Sequence, residues 1–131
     1  MIEYCPCGNN KIYTDCCEPN HLDINNAKTA EELMKSRYVA FTQGNIDFLM
    51  HSHHSKTRPL KEKKNMLTWM QSVNWLGLVI LDKEKGQSND SSGIVEFKAL
   101  YMENDETNYI HEKSIFEREN GHWVYVSGSH F

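Results

Sequence analysis

The sequence predicts an α+β fold in which helices pack on one face of an antiparallel sheet, with a small metal-binding segment near the N-terminus. Apolar residues recur about every 3.6 residues in the first half of the chain, as in amphipathic helices, and alternate with polar residues after Asn74, as in strands. Helices followed by strands, rather than alternating with them, are typical of α+β folds. All four cysteines lie between Cys5 and Cys17.

The cysteines form two pairs with the spacing C-x-C-x8-C-C, namely Cys5 with Cys7 and Cys16 with Cys17. Two pairs joined by a turn can supply the soft ligands that tetrahedral zinc binds at about 2.3 Å from each sulfur. Gly8 suits this turn because glycine tolerates positive φ. The segment has few apolar residues, so we expect the metal to supply its folding free energy. Four protein ligands close the site, which predicts a structural zinc.

Disulfides, free thiols and iron are the alternatives. A bridge between the adjacent Cys16 and Cys17 would be strained, and one between Cys5 and Cys7 would be cramped. The N-terminus lacks the pattern of a signal peptide, which predicts a cytoplasmic protein, and structural disulfides are rare in the cytoplasm. Iron also binds four thiolates, but structural zinc is the more common outcome.

The first half of the domain is predicted to be helical. Residues 19–28 are expected to be a linker, because Pro, Asn, His and Asp dominate them. Thr29 should cap the first helix and Gly44 should end it. Asn45 is expected to cap a short second helix, and Pro59 to open a third. The apolar positions of the first helix are Ala30, Leu33, Met34, Tyr38 and Phe41.

Strands are predicted in the second half of the chain. Polar residues 82–92 should link the first two strands, and Asn120-Gly121 is a strong hairpin signal between the last two. In the second strand Phe97 lies on the apolar face and Glu96 on the polar face. The predicted strands cover residues 75–81, 94–102, 109–118 and 123–127.

The segment from Cys5 to Cys17 resembles the SEC-C zinc motif, which also occurs at the C-terminus of the preprotein translocase ATPase SecA. Its last ligand is Cys or His, and Cys17 fits. SEC-C motifs in that ATPase contact proteins, so the resemblance implies a protein partner for this knuckle. The motif usually carries several lysines between its cysteine pairs, whereas this chain has only Lys11, with Asp15 and Glu18 nearby. Binding to phosphate-rich partners is therefore not expected.

Stretches spread over the rest of the chain are similar to the bacterial YchJ family. Members join an N-terminal SEC-C knuckle to a domain with the cone-shaped fold of nuclear transport factor two and ketosteroid isomerase. The resemblance implies a knuckle over residues 1–20 and a domain over residues 29–131, with helices packed on a curved antiparallel sheet. No activity is established for the family. The matching stretches are LMKSRYVAF (33–41), WLGL (75–78), HEKSIF (111–116) and GHWVYVSG (121–128).

A cone-shaped domain has a pocket between its helices and the concave face of its sheet, where polar side chains mark candidate sites. In the third strand Glu112 and Ser114 share a face with Ile110 and Phe116, so this face is expected to point inward. Arg37 lies beside the apolar stripe of the first helix. The candidate pocket residues are Arg37, His54, His111, Glu112 and Ser114.

Two interpretations of these residues stay open. In the first, Arg37 and Glu112 mark a polar ligand site, with His54 or His111 as acid or base. In the second, which we favour, Arg37 and Glu112 form a structural ion pair within about 4 Å, because buried charges need partners. No residue is assigned as catalytic, and His51 with His54 is only a weak pattern for a second metal.

The leading hypothesis for function is a non-enzymatic adaptor that binds a protein through the knuckle. The alternative is a small-molecule-binding protein or enzyme that uses the pocket, and an open pocket lined by His and Glu would favour it. The net charge of −4 does not favour nucleic-acid binding. No apolar run approaches the roughly 20 residues that cross a bilayer. The one basic cluster is typical of a solvated helix face: Lys56, Arg58, Lys61, Lys63 and Lys64.

Overall fold

The computed structural model of the chain describes residues 3–131. The helices precede the strands, as the sequence predicts. The helices are α1 (Glu18–Leu22), α2 (Ala30–Gln43), α3 (Ile46–His51) and α4 (Lys63–Ser72). The strands are β1 (Asn74–Lys85), β2 (Ser92–Glu103), β3 (Glu106–Glu119) and β4 (His122–His130). Within residues 3–131, no helix combines the length and the apolar character that crossing a membrane requires.

The strands form one antiparallel sheet in the order β1-β2-β3-β4, so every strand pairs with its neighbours in the chain. The predicted strands are confirmed and extend further at both ends. The register shifts between Trp75 and Gly77 in β1 and at Ile115 in β3. Such irregularities bend a strand and increase its local twist, which curves the sheet around the helices.

Two tight turns of left-handed backbone connect the last three strands. Asn120 (φ 55°) and Gly121 (φ 84°) join β3 to β4, as the Asn-Gly pair predicts. Asn104 (φ 53°) and Asp105 (φ 63°) join β2 to β3. This second turn was not predicted, although Asn and Asp are the side chains that best tolerate positive φ after glycine.

Helix α2 lies at the centre of the molecule and begins and ends as predicted. The Thr29 hydroxyl accepts a hydrogen bond from the Glu32 amide at 3.1 Å, and Gly44 ends the helix at φ 68°. Leu33 and Val39 are fully buried. Burying each such side chain contributes about 1.5–3 kcal/mol relative to leaving it exposed.

The two following helices differ in how well the sequence predicts their starts. Asn45 caps α3, since its side chain accepts a hydrogen bond from the Phe48 amide at 3.1 Å. Pro59 does not open the third predicted helix directly. A 3₁₀ turn over Leu60–Glu62 follows Pro59, and α4 begins at Lys63.

The predicted linker over residues 19–28 is wrong, because the segment is folded. It contains most of α1 and a 3₁₀ turn over Ile24–Asn26. Ile24 and Ala27 are buried. The polar residues that suggested a linker make specific hydrogen bonds instead. Among them, the Asp23 carboxylate accepts a hydrogen bond from the Asn25 amide at 3.0 Å and so caps the turn.

The hydrophobic core joins the knuckle to the domain. Buried residues of the sheet and of α2 pack in one cluster with Cys5, Cys7 and Cys17. The knuckle is therefore not suspended on a flexible tether. The division into a knuckle over residues 1–20 and a domain over residues 29–131 stays a prediction.

Candidate metal centre and ligand pocket

The N-terminal segment folds back on itself and brings its two cysteine pairs together. Tyr4 and Ile12 form an isolated antiparallel bridge, and the Cys5 amide donates to the Lys11 carbonyl at 2.7 Å. Gly8 lies in the turn with φ 98°, a conformation that side chains disfavour. The predicted turn thus places both pairs on one side of the segment.

The sulfur atoms have a geometry that fits a tetrahedral metal. The Sγ atoms of Cys5, Cys7, Cys16 and Cys17 all lie within 4.8 Å of one another. Cys7 Sγ is 3.5 Å from Cys16 Sγ, and Cys16 Sγ is 4.0 Å from Cys17 Sγ. Zinc at about 2.3 Å from each sulfur would separate the sulfurs by about 3.8 Å. None of these cysteines forms a disulfide.

The charge state of the cluster also suits a cation. A hydrogen bond from Cys17 lowers the pKa of Cys7 to about 5. Burial raises the pKa of Cys5 to about 11, and the hydrogen bond to Cys7 together with burial raises that of Cys17 further. Without a metal the cluster favours one thiolate held by its neighbours. A divalent ion would offset the cost of further buried thiolates.

Hydrogen bonds around the cysteines link the knuckle to α2. Lys35 Nζ donates to Asn9 Oδ1 at 3.0 Å, and Asn9 Nδ2 in turn donates to Cys16 Sγ at 3.4 Å. Asn20 Nδ2 donates to the buried Ser36 hydroxyl at 2.8 Å. The groups that surround the cysteines are therefore fixed by the domain.

His21 makes a further link between the knuckle and α2. Its Nε2 lies 2.7 Å from the Ser36 carbonyl oxygen, which can only accept, so Nε2 carries the proton. Nδ1 then accepts from the Tyr13 hydroxyl at 2.7 Å. Burial lowers the pKa of His21, which favours this neutral form.

A second candidate site is a cavity of about 190 Å³ between the helices and the concave face of the sheet. Its walls are mainly apolar and aromatic. Polar side chains also reach it, among them Arg37, His53, Glu112 and Tyr125. A mostly apolar cavity with a few convergent polar groups is the usual form of a small-molecule site.

Arg37 lines this cavity and is almost fully buried, with 5% of its surface exposed. Its Nη1 donates to the Leu49 carbonyl at 2.9 Å and to the Ser52 hydroxyl at 2.7 Å. The guanidinium carbon lies 4.7 Å from the centroid of the Tyr125 ring, in cation–π contact. Burial lowers the pKa of Arg37 to about 10, so the group stays charged at neutral pH.

Glu112 is held by donors of the sheet. Its Oε2 accepts from the Tyr125 hydroxyl at 2.8 Å and from the Ser114 hydroxyl, while Oε1 lies 3.2 Å from His130 Nε2. A Cβ at Gly128 would overlap the carboxylate, so a larger residue there would displace the Glu112 side chain. As predicted, Glu112 and Ser114 lie on the inward face of β3, although Ser114 is buried behind Glu112 and does not line the cavity.

The favoured ion pair between Arg37 and Glu112 is wrong. Tyr125 lies between the two side chains, since its ring contacts the guanidinium and its hydroxyl binds the carboxylate. Among the ion pairs of residues 3–131, none includes Arg37. The prediction assumed that two opposite charges on facing elements must meet, and it overlooked an aromatic residue that interacts with both.

The predicted placement of His54 and His111 at the pocket is also wrong. His54 and His111 lie outside the cavity, where His54 Nδ1 is 3.5 Å from Glu119 Oε2 and His111 Nε2 is 2.7 Å from Glu96 Oε2. His111 occupies the outer face of β3, as expected for a residue adjacent to the inward Glu112.

His53 reaches the cavity instead, with its ring centroid 5.0 Å from that of Tyr125. Burial and the positive charges of Arg37, Arg58 and His54 lower the pKa of His53 to about 4, so its ring is neutral at pH 7. A bridge to Tyr125 in β4 sets its direction, and the local sequence carries no periodic signal for that pairing. Tyr125 itself could have been found, since alternation from Trp123 places it on the inward face of the fourth strand.

The sequence of the chain is similar to a family model and to several bacterial proteins. The family model described as YchJ, middle NTF2-like domain, matches residues 29–128. A UPF0225 protein of Photorhabdus laumondii is 38% identical over 130 residues, which cover 98% of this chain and 81% of that protein. A UPF0225 protein of Streptomyces coelicolor is 40% identical over 124 residues, which cover 95% of this chain and 93% of that protein.

Solved structures agree over nearly the whole chain. The solution structure of a SEC-C motif-containing protein from Rhodopseudomonas palustris has a TM-score of 0.85 at 30% identity and covers 98% of both chains. The crystal structure of a SEC-C motif-containing protein from Psychrobacter arcticus has a TM-score of 0.80 at 27% identity and covers 96% of this chain and 81% of that one.

Proposed function

Because the chain belongs to the YchJ family, whose middle NTF2-like domain spans residues 29–128, we propose that it is a zinc-binding protein whose domain pocket holds a small molecule. One observation supports the pocket: polar groups of Arg37, His53 and Glu112 converge on an apolar cavity of about 190 Å³. Ligand-binding sites combine these properties. His53 and Glu112 line the cavity, as the ligand-binding hypothesis expects, and Met34, Met66 and Trp75 line it with them.

The proposed zinc ligands are Cys5, Cys7, Cys16 and Cys17, which lie within 4.8 Å of one another through their Sγ atoms. Four sulfur ligands leave no open coordination position, so the ion would tie the two cysteine pairs together without reacting. Elemental analysis of freshly purified protein should give about one zinc per chain.

The zinc assignment is tested by substitution. Cys16→Ser should sharply lower the zinc content, because it removes one thiolate. Asn10→Ser, in the exposed turn between the cysteine pairs, is the matched control and should leave the content unchanged. Equal zinc in both variants, or disulfides in protein purified under reducing conditions, would contradict the assignment.

The pocket is tested by filling it. Ala99 is buried on β2 and lines the cavity, so Ala99→Leu places additional atoms where a ligand would lie. Ala40→Leu overpacks α2 outside the cavity lining and is the control for general strain. In a thermal-shift screen of small molecules, compounds should stabilise the wild type and Ala40→Leu but not Ala99→Leu. No stabilising compound, or equal stabilisation of all three, would contradict ligand binding.

An adaptor role is the second candidate, and the surface of the knuckle favours it. Tyr4 and Ile12 pair across the knuckle and are 58% and 41% exposed, respectively. Adjacent exposed aromatic and aliphatic side chains are typical of protein contacts. In pull-downs from bacterial lysate, replacing Tyr4 and Ile12 by Ser should release a partner that the exposed-sheet control Tyr109→Ser retains. Recovery of the same proteins with the knuckle variant and with the control would contradict the adaptor role.

A further inference from the structure

Arg37 is a buried cation that no carboxylate of residues 3–131 contacts as an ion pair. Its protein partners are the neutral Leu49 carbonyl, the neutral Ser52 hydroxyl and the face of the Tyr125 ring. A buried charge is unfavourable unless it is paired. The domain therefore keeps a positive charge in the wall of its cavity without neutralising it by direct contact.

Part of the guanidinium faces the open cavity. The two hydrogen bonds to the protein both come from Nη1, which leaves the Nε and Nη2 donors of the planar fork. No buried side-chain nitrogen or oxygen in the described part of the chain lacks a hydrogen-bond partner. The remaining donors of Arg37 are consequently accessible, and Arg37 lines the cavity. A planar fork of donors matches a carboxylate.

Glu112 does not compete for these donors. Its carboxylate is held by the hydroxyls of Tyr125 and Ser114 and faces His130. Because the ring of Tyr125 lies against the guanidinium while its hydroxyl binds Glu112, the two charges are held apart. His53 is neutral at pH 7 and adds a group that can donate from one ring nitrogen and accept at the other.

We propose that the ligand is a compact monocarboxylate whose carboxylate binds Arg37 and whose apolar body fills the rest of the cavity; this inference rests on the proposed ligand-binding function. Arg37 is almost fully buried, and the rest of the lining is mainly apolar and includes Trp75 and Ile110. The carboxylate is therefore expected at Arg37, with the apolar body of the ligand against the other walls. Since a cavity of about 150 Å³ accommodates benzene, the cavity of about 190 Å³ suits an aromatic or branched acid.

The test compares phenylacetate with phenylacetamide, which has the same shape without the charge. Binding to the full chain is followed by isothermal titration calorimetry and by tryptophan fluorescence, since Trp75 lines the cavity. Phenylacetate should bind roughly tenfold or more tightly than the amide, as expected for a charge-assisted hydrogen bond. Equal affinities would overturn the carboxylate inference and leave the ligand-binding function in place.

Substitution of Arg37 provides a second test. Arg37→Gln should abolish the preference for the acid over the amide, while Arg118→Gln, outside the cavity lining, should retain it. A preference that survives Arg37→Gln would overturn the inference. If Arg37→Gln does not fold, the affinities of phenylacetate and phenylacetamide for the wild type still test whether the site prefers a carboxylate. Failure of the acid, the amide and uncharged benzyl alcohol to bind would overturn both the inference and the proposed function.

Discussion

At the scale of single residues, Tyr125 sets the arrangement of the buried charges. Its ring contacts Arg37 and its hydroxyl donates to Glu112 at 2.8 Å. Burial, reinforced by the charge of Glu112, raises the pKa of Tyr125 above its usual range, so the hydroxyl stays a donor at physiological pH. An aromatic residue thus takes the place of the direct ion pair that the sequence suggested.

Tyr125→Phe should lower the free energy of unfolding by about 1–2 kcal/mol, because a buried carboxylate loses one of its donors. Chemical denaturation measures this loss as a lower midpoint with an unchanged slope. Tyr109→Phe, on an exposed ring, is the control and should stay within about 0.5 kcal/mol of the wild type. Equal midpoints for the two variants would mean that Ser114 and His130 stabilise the Glu112 carboxylate without the Tyr125 hydroxyl.

His53 should make the fold less stable as the pH falls. The pKa of its imidazole is lowered from 6.5 to about 4 by burial and by the charges of Arg37, Arg58 and His54. Between these values the unfolded chain binds a proton that the folded chain excludes, so stability falls by up to about 1.4 kcal/mol per pH unit. Above the unfolded pKa of 6.5 neither state is protonated and this contribution to stability is complete.

Urea denaturation from about pH 7.5 to about pH 4.5 measures this effect. His53→Gln should flatten the decline in the free energy of unfolding over that window. His51→Gln, at an exposed position without an ion pair in the described residues, is the control for the loss of a histidine. Parallel curves for wild type and His53→Gln would show that His53 titrates normally in the folded chain.

At the scale of elements, the hairpin of β1 and β2 depends on two glycines in close contact. Gly86 lies just after β1 with φ 76°, and a Cβ at Gly93 would overlap its backbone. Backbone atoms cannot move aside as a flexible side chain can. The sequence gives no signal for this contact, because the two glycines lie on opposite sides of a polar loop.

Gly93→Ala should therefore destabilise the fold by about 1–3 kcal/mol, the usual range for overpacking. Gly77→Ala is a matched control within the same hairpin, since a Cβ there has no neighbour within 4 Å. Thermal melts of both variants measure the difference. Equal melting temperatures for Gly93→Ala and Gly77→Ala would show that the backbones at Gly86 and Gly93 can move apart without a loss of stability.

The ends of helices and the turns between strands are the features that the sequence predicts best. Thr29, Gly44 and Asn45 bound their helices as expected, and Asn120-Gly121 forms the expected turn. These features depend on hydrogen bonds and φ angles within a few residues, which the local sequence determines. Segment 19–28 folds because α1 contacts α2 and the 3₁₀ turn over Ile24–Asn26 contacts β4, and composition does not reveal such contacts.

At the scale of the whole molecule, the site required information that no single segment carries. The four cysteines are adjacent in sequence, so their cluster could be predicted from spacing alone. The cavity is lined by residues of α2, of the segment after α3, of α4 and of all four strands. Which histidine faces inward depends on how the segment after α3 meets β4. Residue types at the site were partly predicted, whereas their contacts were not.

Deleting residues 1–20 should leave a folded domain with a lower melting temperature. The core of α2 and the sheet stays complete, but the contacts of Cys17 and Asn20 with α2 are lost. A loss of about 1–2 kcal/mol would lower the midpoint by roughly 5–10 °C. Cys16→Ser in the full chain should show a smaller decrease. An unfolded deletion variant would mean that the knuckle and the domain are one cooperative unit.

The links between the knuckle and α2 have a consequence for synthesis on the ribosome. Tyr13, His21, Lys35 and Ser36 all precede the sheet in the chain, so they emerge before any strand is made. Tyr125, in contrast, lies on the last strand. The four cysteines of the proposed zinc site are therefore synthesised before any strand, whereas the cavity is lined by residues of all four strands. We expect zinc binding to a nascent chain to precede formation of the cavity.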